Sequence, residues 1–401
     1  MPRAAVVLPS TTYRAGDFVS AATSLGVDLV VVSEQPAPFD MGDGYLQIDC
    51  SDTEAAAEAI VALGDEVPLD GVVAADDSGV VVAALAGRKL GLHANDPEAA
   101  AATRDKLAMR RLLAGSEVPQ PRYAAVTAES DPMTSVSTLD FPLVVKPIDR
   151  SASQGVIRVD KPEELPETVA SIRQIVGDVE STLIAEEYMS GAEVAVEGLV
   201  RDGELTVLAV FDKPDTSSGP AFPETIFVTP SRIEAGQLAE CERVAQAAVS
   251  AIGLEHGPVH IELKIDDSAV RILEVAARSI GGLCSRSLDF GLMGTSLEAL
   301  IIRNALGMDK PELRRASHAS GVLMIPIPSS GTLISVERVD ETREIDGVTG
   351  VELTAKPGDK LLAPPHGDRY LGFVFARGSS AGAVEAALRK AMDTLQVKVD
   401  G

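Results

Sequence analysis

The chain has 401 residues, yet it contains no tryptophan, three cysteines and five histidines, and aromatic residues make up only 3% of it. Its apolar fraction of 45% is therefore almost wholly aliphatic, the composition of a soluble α/β protein rather than a disordered one. Cys50, Cys241 and Cys284 show neither metal-ligand spacing nor a paired framework, so a reducing cytoplasm is the expected location. Positive charge is scarce: 35 Lys and Arg face 60 Asp and Glu, for a formal charge of -25. A nucleic-acid partner, whose phosphates demand a basic face, is excluded on that ground. No apolar run approaches the roughly 18 residues of a membrane span. The opening "MPRAAVVLPS" meets proline after a very short apolar run and does not read as a signal peptide. "PSTTYRAG" stands where GxGxxG would follow a first strand, and GK[ST] before a helix is also missing. Neither a dinucleotide site nor a Walker loop is expected.

What is present has clear periodicity. Continuous apolar runs at 4–8, 27–33 and 70–75 read as strands buried on both faces of a parallel sheet. Alanine-rich helices, Thr53 to Leu63 and Gly79 to Lys89, lie among them, which predicts a small doubly wound domain over 1–98. A helix from about Thr103 to Leu113 follows, with Thr103 as its expected N-cap and Gly115 as its stop. Residues 99–315 then alternate strands and helices. Beyond Ala319, short strands and a helix at about Ala381 to Leu395 predict a β-rich unit over 316–401. No internal repeat is visible.

Three stretches carry candidate chemistry. "FPLVVKPIDRSASQGVIRV" (141–159) is a hairpin in which Lys146 ends a strand and a loop of small residues, including Ser151, Ser153 and Gly155, follows. Such a loop can close over a polyanion with backbone and hydroxyl donors, while the lysine supplies charge; a flexible surface hairpin is the competing reading. "LIAEEYMSGAEVAVEG" (183–198) runs a strand into Glu186-Glu187-Tyr188-Met189 and places Glu193 and Glu197 on one face of the next. A flat base beside that turn, with Glu193 accepting from ribose hydroxyls, competes with a solvated sheet face. "VHIELKIDDSAVRILEV" (259–275) is a hairpin. If its loop is Asp267, Ser268 and Ala269, Glu262 stands opposite Glu274; a two- or four-residue loop sends them to opposite faces. Paired carboxylates call for a bridging cation, and hard oxygens suit Mg²⁺.

In order, Lys106, Lys146, Glu186-Glu187-Tyr188-Met189, Glu193, Glu262, Glu274 and Arg278 resemble the signature of the ATP-grasp superfamily of carboxylate-amine ligases. "GPVHIELK", "EVAARSIGGLCSR" and "GVLMIPIP…YLGFVFARG" are most similar to its L-amino-acid ligase branch. The resemblance implies an ATP-grasp fold with a phosphate lid at 147–156, and ATP and Mg²⁺ as cofactors. Lys106 and Lys146 would contact phosphates. Glu186 and the backbone at Tyr188 and Met189 would read adenine, and Glu193 the ribose. Glu262 and Glu274 would hold the metal, and Arg278 would steady the transferring phosphoryl group. Small-molecule carboxylate and amine substrates are the implied partners, and a homodimer is compatible with the sequence. Lys213, His260 and Arg286 are further substrate-contact candidates. One departure stands out: Ala276 replaces a metal-ligating asparagine found in many members, and the register that pairs the glutamates puts His260 across from it. A bicarbonate-activating carboxylase and a nonenzymatic nucleotide binder are the alternatives.

Overall fold

The computed structural model describes residues 1–400 except 10, 11, 38, 216–220, 292, 309–312 and 314. The amino-terminal strands form a parallel sheet in the order Tyr45–Gln47, Asp28–Ser33, Arg3–Leu8, Gly71–Ala74. Every residue of Arg3–Leu8 is buried, as its unbroken apolar run requires when both sheet faces are covered. Helices Ala15–Leu25, Thr53–Glu66 and Val80–Lys89 accompany the sheet. Arg14, wholly buried, ties this part to helix Leu297–Ala305 through a 2.6 Å ion pair with Glu298.

A second, antiparallel sheet has the order Tyr123–Val126, Leu183–Glu187, Leu143–Pro147, Ile157–Val159 and is backed by helix Leu165–Val176. The largest sheet has eight strands. Its order is Val270–Ala276, His256–Ile265, Ala192–Arg201, Glu204–Lys213, Ile226–Thr229, Ala319–Ile325, Gly372–Gly378 and Val348–Leu353. The carboxy-terminal strands thus continue the sheet begun upstream instead of building their own, and helix Ala381–Thr394 packs on them. A three-stranded sheet of Lys360–Leu361, Gly331–Glu337 and Gln396–Asp400 completes the molecule.

The expected helix near 103–113 is displaced. It spans Lys106–Gly115, and its N-cap is Asp105, whose carboxylate accepts from the amides of Leu107 and Ala108. Thr103 instead closes the short helix Pro97–Ala102, donating its hydroxyl to the Ala100 carbonyl. An aspartate one step before the helix satisfies two orphan amides at once, which outweighs the threonine. The displacement puts Lys106 in the first turn.

Candidate active site

The hairpin of His256–Ile265 and Val270–Ala276 contradicts the expected loop and still delivers the expected pairing. Ile265 faces Val270, so the loop has four residues, Asp266 to Ala269. That register alone would put Glu262 and Glu274 on opposite faces. However, the register shifts between Leu263, paired to Ile272, and Glu262, paired to Glu274, leaving Leu273 as the extra residue of a β-bulge. The two carboxylates therefore stand across from one another, and His260 faces Ala276 as expected.

Two cavities meet at this pair. The first, about 120 Å³, lies between the lid-bearing sheet and the large sheet, and is lined among others by Lys106, Lys146, Met189, Glu193, Glu262 and Glu274. The second, about 220 Å³, has walls from all parts of the chain: Tyr13 and Asp77, His260 and Arg278, and Arg369 and Tyr370. Ser151 to Ser153, Glu224, Glu262 and Glu274 border both.

The cations of the first cavity are held by carboxylates. Lys146, on Leu143–Pro147, is buried and lies 2.8 Å from Glu186 Oε2; Arg110 donates to Glu186 Oε1 at 2.7 Å. Burial pushes the Glu186 carboxyl up, but Arg110 and Lys146 outweigh it and bring it down to about 2. Both Glu186 oxygens are engaged and the side chain is 2% exposed, so it anchors Lys146 at the wall of this cavity. The Tyr188 amide is likewise committed, to the Pro142 carbonyl, and Met189 lines the cavity beside it. Tyr188 is packed between Arg158, 4.3 Å over its ring, and Phe222. Lys106 reaches the Arg150 carbonyl at 2.5 Å and Glu274 at 3.4 Å. The loop after Lys146 turns through left-handed backbone at Ala152, Ser153 and Gly155. It is fastened to the far end of the chain, because the Gly155 amide donates to Pro365 O and the Gln154 side chain to His366 O.

Among the described residues Lys213 is the most heavily counterbalanced group. Its ammonium touches Glu193 and stands 2.8 Å from both Glu224 and Glu262, while Lys264 takes the other oxygen of Glu193 at 2.9 Å. Burial lowers the Lys213 pKa, but the three glutamates carry it well above the ordinary lysine range. His260 is bound through Nδ1 to Glu197 at 2.5 Å and approaches Glu262 at 3.4 Å. Burial works against its protonation; these carboxylates prevail and raise it to about 9. In the second cavity Arg278 pairs with Asp77 at 3.0 Å, and its buried Nε has no acceptor among the described residues. Tyr370 donates to Glu224 at 3.2 Å. Arg286 lines neither cavity: it bonds Asp17 at 3.1 Å on the surface. Cys284, which borders the second cavity, is buried with its thiol pushed up by desolvation, an inert group.

Comparison with known proteins decides the family. Residues 139–287 match the family described as an ATP-grasp domain, 19–93 the ATP-grasp N-terminal domain, and 323–400 the L-amino acid ligase C-terminal domain 2. The chain belongs to the ATP-grasp superfamily. A solved L-amino acid ligase from Bacillus licheniformis superposes over 100% of this ATP-grasp chain and 99% of its own, with a TM-score of 0.84 and 25% identity. Alanine-anticapsin ligase of Bacillus amyloliquefaciens is 25% identical over 57% of this chain, and human carnosine synthase 1 is 27% identical over 76%. The matched region spans 52% and 39% of those two proteins respectively.

Sequence reasoning missed Arg110, Glu224, Asp77 and Tyr370 in this ATP-grasp site. Only Asp77, beside Asp76 at the end of an apolar strand, carried a local signal. The others reach the site from residues whose neighbours in sequence look like ordinary helix, loop or strand.

Proposed function

We propose that the protein is an ATP- and Mg²⁺-dependent ligase that activates a substrate carboxylate as its acyl phosphate and joins it to an amine, the substrates being amino acids or small peptides. The observation that carries this is the junction of the two cavities at Glu262 and Glu274, one cavity lysine-lined under the lid and the other ending on Arg278. Similarity to L-amino acid ligase and alanine-anticapsin ligase supports the substrate class.

The residues fit the metal. Two hard carboxylates face each other across the hairpin, Lys213 holding Glu262 through Oε1, and among the described residues no group of three or more His, Cys, Asp or Glu is arranged to hold a metal ion. Mg²⁺ takes one or two carboxylates and completes its shell with phosphate oxygens and water. Bound there it would neutralise charge developing between the β- and γ-phosphates. Lys106 and Lys146 would hold the phosphate chain, the lid would exclude water, and Met189 would seat the base against Tyr188. A substrate carboxylate oxygen attacks the γ-phosphorus and ADP leaves. The amine then attacks the acyl carbon, loses its proton, and phosphate departs. Arg278 would hold the phosphoryl oxygens through both transfers. Three buried, unpaired thiols accord with a reducing cytoplasm. The chain would divide into domains at 98/99 and 315/316, with the large sheet running on across the second boundary.

The test is phosphate release from ATP and Mg²⁺ with amino acids, singly and in pairs, with hydroxylamine added to trap the acyl phosphate. Amino-acid-dependent hydroxamate is the expected result. ADP formation driven by bicarbonate alone would replace the reading with a carboxylase.

A further inference from the structure

Arg110 sits one helical turn after Lys106 and is 0% exposed. A guanidinium that deep in the protein is tolerated only when fully paired. Its partners are informative. Nε donates to Glu186 Oε1 at 2.7 Å, Nη1 to the Ile272 carbonyl at 3.3 Å and Nη2 to the Leu273 carbonyl at 2.7 Å. Ile272 and Leu273 are the residues at which the hairpin register changes. Carbonyls at a bulge leave the regular ladder and need another donor. The same stretch of chain takes the complementary role, since the Pro119 carbonyl accepts from the Ile272 amide at 2.8 Å. Gln120 fastens that stretch back to the helix by donating to the Arg110 carbonyl at 2.9 Å. The bulge is thus clamped from outside the sheet, by residues 110 to 120.

The parity of the hairpin gives the clamp its importance. With a four-residue loop and no bulge, Leu273 would face Glu262, and Glu274 would point to the other side of the sheet. We infer that Arg110 is a positioning residue: one planar cation fixes the Glu186 anchor of Lys146 and the bulge that brings Glu274 opposite Glu262. It thereby sets the spacing between the phosphate lysine and the carboxylate pair. Lysine cannot substitute, because a single ammonium on a flexible stem does not reproduce three donors directed in one plane. The metal role of the carboxylates rests on the ligase reading; the clamping of the bulge does not.

The experiment uses full-length Arg110→Lys and, if that variant fails to fold, Arg110→Met/Glu186→Gln, which removes both charges of the Arg110–Glu186 pair but leaves buried Lys146 facing a neutral amide, so only its exchange pattern is read. Amide hydrogen exchange is read first, on nucleotide-free protein. Exchange across Val270–Ala276 should quicken at least tenfold, while Ala192–Arg201, paired to the other strand of the hairpin, stays as in the wild type. ATP affinity is then measured by calorimetry with and without Mg²⁺. Metal-free affinity should change less than the Mg²⁺-dependent gain, which should fall at least tenfold. Exchange unchanged in Val270–Ala276, or quickened equally throughout the sheet, would overturn the clamp. Equal loss of affinity with and without Mg²⁺ would overturn its link to the carboxylate pair. If wild-type protein shows no Mg²⁺-dependent gain, the metal reading falls, and the exchange comparison alone decides the role of Arg110.

Discussion

Replacing Lys213 by methionine tests the electrostatics of the site most directly. The ammonium is 10% exposed and has Glu193, Glu224 and Glu262 around it. At an effective dielectric near 20, a contact of 2.8 Å carries on the order of 6 kcal/mol of Coulomb energy before desolvation is subtracted. Methionine keeps most of the volume and removes the charge, so three carboxylates are left with less compensation. Removing one partner of a buried pair costs about 3–5 kcal/mol, and that is the expected loss, read as a lower urea midpoint. The variant should also respond to metal without nucleotide. Because the ammonium holds Glu262 Oε1, its removal strengthens that carboxylate as a ligand for Mg²⁺, and a ligand at 100 times its Kd restores about 2.7 kcal/mol to the folded state. Mg²⁺ should therefore raise the midpoint of Lys213→Met well beyond its effect on the wild type. A stability loss under about 1 kcal/mol, or an equal response to Mg²⁺ in both proteins, would refute the reasoning.

Other outcomes follow from single contacts. The Glu186 carboxyl stands at about 2 in the folded protein against an ordinary 4.5, so its stabilising contribution is present above pH 4.5 and is lost as pH falls toward 2. The difference is worth roughly 3 kcal/mol; Glu186→Gln should be less stable at neutral pH and should lack that acid-dependent loss in urea titrations from pH 2 to 6. Arg278→Lys keeps charge but not the planar fork, so turnover should fall at least about tenfold with calorimetric ATP affinity retained; parallel losses would assign Arg278 to nucleotide binding. Arg286→Ala should leave kinetic constants unaltered, since its half-exposed pair with Asp17 is worth about 0–1 kcal/mol, and a specific rise in substrate KM would return it to the site.

Much of this was legible because it is local. Unbroken apolar runs marked Arg3–Leu8 and Asp28–Ser33, and the small-residue loop after Lys146 marked a segment that borders both cavities. The pairing of Glu262 with Glu274 was also foreseen, though through the wrong loop: nothing in "IDDSAVRILEV" announces a bulge, because its donor is Arg110, more than 150 residues upstream. For the same reason the sequence does not announce that Glu186 anchors Lys146. Its role depends on Arg110 and Lys146 arriving from two other elements. Tyr370 and Asp77 were invisible as neighbours, since the cavity they share exists only once both ends of the chain have packed against the middle.

The continuous eight-stranded sheet constrains how such a protein can be recombined. Ile226–Thr229 is hydrogen-bonded along its length to Ala319–Ile325, pairing Phe227 with Val322 and Thr229 with Ser320. A chain cut near residue 316 would end with a buried, apolar strand exposed as a sheet edge, which is an invitation to self-association. Grafting the last eighty or so residues of a relative onto this chain therefore demands more than a compatible linker. The donor segment has to reproduce the register against Ile226–Thr229 and also present a carbonyl to the Gly155 amide, or the hybrid inherits a loosened lid along with its new carboxy terminus.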